Sequence, residues 1–182
     1  MAVRFPELTV QKGAALYLAV LLLFVPLRLL VGFFVAALVH ELCHVAALVV
    51  LGHPVYGIFL GISGARIKTE LLSPRDEFIC ALAGPLGALL VFSIARWIPT
   101  VCLFVLLQSL YNLIPLYPMD GGRALRSVCG VWRYGKYVFA VLEIATCSLI
   151  LALGFWAAFR LKLGILPLAA SLCMVFPALC EK

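Results

Sequence analysis

Charge is scarce in this chain. Only 12% of its 182 residues are Asp, Glu, Lys or Arg, 65% are hydrophobic, and the mean hydropathy is +1.17. That surplus of apolar side chains excludes an ordinary soluble globular domain and makes a bilayer the expected solvent. Acidic residues are the rarer sign, eight against fourteen basic ones, which leaves a net charge of +6. The basic residues are scattered between long apolar blocks instead of forming a stripe, so they suit loops at a membrane surface and speak against nucleic acid as a partner. A disulfide framework is missing too. The seven cysteines, Cys43, Cys80, Cys102, Cys129, Cys147, Cys173 and Cys180, are odd in number, widely spaced and mostly inside apolar segments, where they read as small packing side chains. There is no internal repeat or low-complexity tract, and no separate soluble domain is expected.

What is present is a series of apolar spans. From Gly13 to Leu51, apart from the Tyr17 phenol and the Cys43 thiol, the ionisable side chains are Arg28, His40, Glu41 and His44. A membrane helix needs about 20 residues, so this stretch holds two spans, broken near Pro26, Arg28 and Gly32. A third span runs from about Glu77 to Trp97. Its start is marked by Ser73 at an N-cap, Pro74 at the first helical position and Asp76 three residues after the cap. A fourth runs from about Thr100 toward Leu116, and the fifth and sixth cover Tyr137 to Phe159 and Leu163 to Leu179. The expected fold class is therefore an all-α polytopic membrane protein with six transmembrane helices, forming a single domain over residues 1–182.

Orientation follows from the positive-inside rule. With both termini cytoplasmic, the inside segments hold Arg4, Lys12, Arg66, Lys68, Arg75, Arg123, Arg126, Arg133, Lys136 and Lys182. Outside remain Arg28, Arg96, Arg160 and Lys162, placed at span ends where their stems can snorkel. The apolar stretch Ala14 to Leu27 is within signal-peptide length, yet no small-residue cleavage site precedes the next span, so the stretch is read as a span. The expected location is a cell membrane, crossed several times.

Within the second span lies VHELCHVAAL, residues 39–48. On a helix His40 and His44 project from one face and can close on a single ion, with Glu41 beside them. This is the HExxH pattern, in which two histidines hold zinc and the glutamate takes a proton from water. Ionisable groups inside a membrane are costly and mark function, and metal binding offsets that cost. The competing use, a helix-packing or proton-relay cluster, needs no ion. His53, after Gly52 at a loop edge, reads as a solvated turn residue.

A hydrolytic zinc site takes three protein ligands. The third candidate is Asp120 in NLIPLYPMDGG, residues 112–122, just beyond prolines that stop a helix and before two glycines that permit close backbone approach. Asp120 is also a natural turn former with Gly121 and Gly122, which does not exclude ligation. Asn112 has two open uses: a hydrogen bond to substrate or to the reacting oxyanion, or polar packing between helices. Glu143, inside the fifth span, has similar alternatives: pairing with a loop arginine, admitting water, or helix packing.

HELCH followed in a later span by NLIPLYPMDGG resembles the site-2 protease family of intramembrane zinc metalloproteases, whose motifs are HExxH and NxxPxxPxDG. AGPLGALL, residues 83–90, resembles the AGP segment of that family's third core helix, and residues 55–69 stand where it has a small membrane-associated β-hairpin between helices 2 and 3. The resemblance runs from about Gly13 to Ala178. It implies Zn2+ held by His40, His44 and Asp120, with Glu41 as catalytic acid and base. It further implies an intramembrane metalloendopeptidase cutting a single-pass transmembrane or membrane-associated protein, with a membrane regulator as a possible further partner. Two positions depart from the family pattern: Cys43 stands where glycine is frequent, and Gly87 where asparagine is. Cys43 shares the histidine face, so it either touches the metal or packs. The compact plan is closest to the sporulation-type branch without its regulatory domain; neither a PDZ-like nor a CBS-like domain is expected.

Two further readings compete with the protease. A metal-ion or proton transporter also places His, Glu and Asp in the membrane, but would line several helices with polar groups. An inactive relative acting as a binding protein would be expected to lack Glu41 or a ligand, and all four positions are present. In the segment VYGIFLGISGARIK, β-branched and aromatic residues punctuated by glycines suggest strands whose edge takes up an unwound substrate, against the alternative of an ordinary loop.

Overall fold

The structure is a computed structural model that describes residues 7–10, 22–23, 25–61, 64–94, 98–161 and 164–180. Most of the first predicted span, and the span-end residues Arg96 and Lys162, lie outside the described residues. The chain forms two compact units, residues 1–110 and 111–182.

In the first unit, helix α1 (Leu27–Val50) begins immediately after Pro26, which cannot continue a helix from upstream. Its buried row is Gly32, Ala36, His40, His44 and Leu48, each four residues from the last, so one face turns inward. The opposite faces expose Leu38, Leu42, Val49 and Val50, as expected of a surface solvated by lipid. The helix stops in a Schellman turn: Gly52 takes φ +82, its N–H donates to the Val49 carbonyl, and the His53 N–H reaches the Leu48 carbonyl at 2.9 Å.

The chain then turns into strands β2 (Val55–Gly61) and β3 (Gly64–Thr69), an antiparallel hairpin with Ile58 opposite Ile67. Strand β1 (Glu7–Val10) joins the sheet in parallel, Glu7 opposite Gly57. The hairpin expected from the sequence is therefore two-thirds of a three-stranded sheet, ordered β1-β2-β3.

Helix α2 (Pro74–Ile94) starts as the Ser-Pro-Arg-Asp signature predicts. Ser73 Oγ accepts the Asp76 N–H at 3.2 Å and donates to Asp76 Oδ2 at 2.8 Å. Helix α3 (Pro99–Asn112) packs a row of Val101, Val105 and Ser109 inward. Ala36 of α1, Ala88 of α2 and Val101 and Val105 of α3 form one apolar core, flanked by Phe92 and Phe104. Small side chains let these helices close in, which is how helices associate where lipid removes the hydrophobic drive.

The second unit opens with the 113–119 segment and helix α4 (Asp120–Cys129). This ten-residue helix is amphipathic, and the sequence reading left it unassigned. Helix α5 (Gly135–Arg160) and helix α6 (Leu166–Cys180) follow and pack together. At Gly154 an added Cβ would overlap Ser171, so the two backbones approach as only glycine permits. Leu116, Met119 and Ala178 make the core of this unit. By length and composition α1, α2 and α5 can each cross a membrane, and α3 and part of α6 are shorter apolar helices. This is a membrane protein.

Candidate metal centre

Two ring nitrogens meet on α1. His40 and His44 are 3% and 7% exposed, and their Nε2 atoms lie 3.2 Å apart. His44 Nδ1 is 2.7 Å from the Cys80 carbonyl oxygen. A carbonyl only accepts, so Nδ1 carries the proton and Nε2 presents its lone pair toward His40. Tetrahedral zinc with Zn–N bonds of roughly 2.0 to 2.1 Å sets two nitrogen ligands about 3.3 Å apart. The observed pair fits that spacing, and a backbone carbonyl on the distal nitrogen is the usual support of a metal-binding imidazole.

Helix α2 prepares this geometry through the AGP segment. Gly84 lies against the His44 ring, and any Cβ there would overlap Nε2 and Cε1. In the same helix the Cys80 carbonyl, one turn before Gly84, accepts from His44. The sequence reading recognised AGP by resemblance but did not see that its glycine clears the imidazole. Cys80 was invisible as a contributor because it acts through its backbone.

Cys43 and Gly87, the two departures from the family pattern, face each other. A Cβ on residue 87 would come within 2.8 Å of Cys43 Sγ and 2.9 Å of its Cβ. The thiol packs into the space that the missing side chain leaves on α2. In the first unit the buried pair with metal-ligating chemistry is His40 and His44, while Cys43 packs against α2. Glu41 is half-buried, one position on from His40.

In the second unit Asp120 is the first residue of α4 and 7% exposed. It stands at the positive end of the α4 helix dipole. Arg123 Nη1 donates to Asp120 Oδ1 at 3.4 Å. Side chains at Gly121 or Gly122 would overlap the Leu113 and Leu116 carbonyls, so the two glycines allow the 113–119 segment to fold over the first turn of α4. Asp120 is thus a helix opener, not the turn residue that the sequence also allowed. Asn112, half-buried, ends α3. Two imidazoles and one carboxylate, all buried, are donors that suit Zn2+. His53 departs from the solvated-turn expectation: its Nδ1 is 2.8 Å from Glu70 Oε1 and its Nε2 3.2 Å from Asp76 Oδ2.

No established family profile matches the chain. Two curated relatives are similar to it. A protein named as a zinc metalloprotease, Rip3 of Mycobacterium tuberculosis, is 32% identical over 139 residues, covering 64% of this chain and 34% of the relative. Another so named, sll0528 of Synechocystis, is 32% identical over 116 residues, covering 55% and 30%. The chain spans about a third of the length of these relatives. Among solved structures, the site-2 protease from Methanocaldococcus jannaschii has the same fold, with a TM-score of 0.65, 22% identity, and coverage of 100% of this chain and 93% of that one. The chain is thus similar in sequence to two named zinc metalloproteases and shares the fold of a site-2 protease.

Proposed function

We propose that the protein is an intramembrane zinc metalloendopeptidase, a single catalytic domain that cuts a peptide bond in or beside a transmembrane segment of another membrane protein. The observation that carries this reading is the His40–His44 pair, buried, with facing Nε2 atoms and a backbone carbonyl holding the distal nitrogen of His44. The sequence likeness to two zinc metalloproteases and the fold shared with a site-2 protease support it.

In this reading His40, His44 and Asp120 hold the ion. Zinc there supplies a Lewis acid that polarises a scissile carbonyl and lowers the pKa of water. Glu41, adjoining His40 on α1, takes a proton from the attacking water and returns it to the leaving amine. Asn112 hydrogen-bonds the substrate backbone or its developing oxyanion. Arg123 orients the Asp120 carboxylate. The substrate is a single-pass or membrane-associated protein, and the chain crosses the membrane several times with both termini in the cytoplasm. A helical substrate must be unwound before attack. Because β1 covers one side of β2, the outer edge of β3 is where an extended substrate can add as a further strand.

The test compares membranes from cells carrying wild-type or Glu41→Gln protein. Glu41→Gln keeps zinc by elemental analysis and loses cleavage by a factor of about 10² or more, whereas His44→Ala loses zinc and cleavage together. A wild-type-specific membrane-protein fragment identifies the substrate. Normal proteolysis by Glu41→Gln rejects the mechanism.

A further inference from the structure

Between α4 and α5 the second unit contains a cavity of about 550 Å³ that the proteolytic reading does not use. Arg126, Arg133 and Lys136 line it, with Glu143 as the carboxylate in its wall. None of the three cations has a carboxylate partner among the described residues. Each is held instead over an aromatic ring: Arg126 above Tyr117 at 5.0 Å, Arg133 above Tyr134 at 5.8 Å and Lys136 above Tyr137 at 4.9 Å. Cation–π contacts orient a charge without neutralising it, so all three keep their capacity for an anion. The first turn of α5, Gly135 and Lys136, also borders the cavity and adds the positive end of a helix dipole.

The depth of this cavity can be read from α5. Its 26 residues, at about 1.5 Å each, extend about 39 Å and overrun a hydrocarbon core about 30 Å thick. The end at Gly135 therefore reaches the headgroup layer. Trp132, Tyr134 and Tyr137 around it are exposed, the arrangement of an aromatic belt at a membrane interface.

We infer that this cavity binds the phosphate headgroup of an anionic phospholipid. Arg126, Arg133 and Lys136 contact the phosphate oxygens, Trp132 lies at the level of the glycerol backbone, and the acyl chains run beside α5. A phosphate is the shared chemistry, and lipid is its source because the cavity opens at headgroup depth next to a spanning helix.

The full chain is placed in phosphatidylcholine nanodiscs with or without phosphatidylglycerol, and retained lipid is counted by native mass spectrometry. Wild type retains phosphatidylglycerol in preference to phosphatidylcholine. Arg126→Gln, Arg133→Gln and Lys136→Gln each weaken that preference roughly fivefold, as expected for one basic residue at a membrane surface. Arg133→Lys keeps most of it, and Arg160→Gln at the far end of α5 keeps all of it. Raising salt diminishes the wild-type preference, a readout that needs no variant to fold. Equal retention of the two lipids by wild type overturns the proposal, as does undiminished preference in a folded triple-Gln variant. Displacement of phosphatidylglycerol by soluble glycerol phosphate at matched headgroup concentration overturns the lipid and assigns a soluble phosphate.

Discussion

Three histidines fall between positions 40 and 53, and their surroundings divide them into two chemistries. His40 and His44 sit mid-helix in an apolar row, where α2 brings a carbonyl to one nitrogen and a glycine clears the other. His53 sits just past the Schellman turn of the same helix and meets two carboxylates, Glu70 at the end of the hairpin and Asp76 in the first turn of α2. A carbonyl on one nitrogen leaves a lone pair on the other and makes a ligand. Carboxylates on both nitrogens favour a second proton and make a cation. The side chain is the same; its hydrogen-bond partners decide what it does.

The sharpest way to break this contrast is Gly84→Ala. Its methyl group takes the space of the His44 ring, so zinc content and cleavage fall as far as in a ligand knockout while helix content by circular dichroism holds. Gly87→Ala one turn along α2 is milder. The methyl presses on Cys43 and costs about 1 to 3 kcal/mol in thermal or denaturant unfolding, and Cys43→Gly in the same chain recovers most of it. Ser73→Ala removes the cap that carries Asp76 and costs about 1 kcal/mol.

The smallest effect concerns His53, whose contacts solvent screens. Hydrogen bonds, first to Glu70 and then to Asp76, raise its pKa above the ordinary histidine value. A raised folded-state pKa gives stability that is full below about 6.5, the unfolded value, and is lost as pH rises through the folded one. The melting-temperature advantage of wild type over His53→Gln should therefore be greatest in mild acid and vanish in alkali. An advantage that grows with pH would show that His53 is held neutral.

Some of this was legible in residue order. Four-residue spacing put both imidazoles on one face, Ser73 and Pro74 marked the start of α2, and Gly121 and Gly122 announced a close backbone approach, all local relations on one element. The rest depended on register between elements. That Gly84 stands under His44, that Gly87 receives Cys43, and that the Cys80 carbonyl receives a proton all follow from how α2 slides along α1, which no residue type encodes. Helix α4 was missed because its Asp-Gly-Gly start has the composition of a turn and its polar face breaks the apolar pattern. Four residues pairing in parallel with residues fifty positions later leave β1 without a local signature.

That distant pairing has a geometric corollary. Hydrogen-bonded strands cannot be separated by a hydrocarbon slab, so Glu7 and Gly57, opposite each other in one sheet, share a compartment. Impermeant labels at cysteines introduced for Glu7 and Lys68 should then react from the same side of a sealed vesicle, a rule that holds without any tally of basic residues.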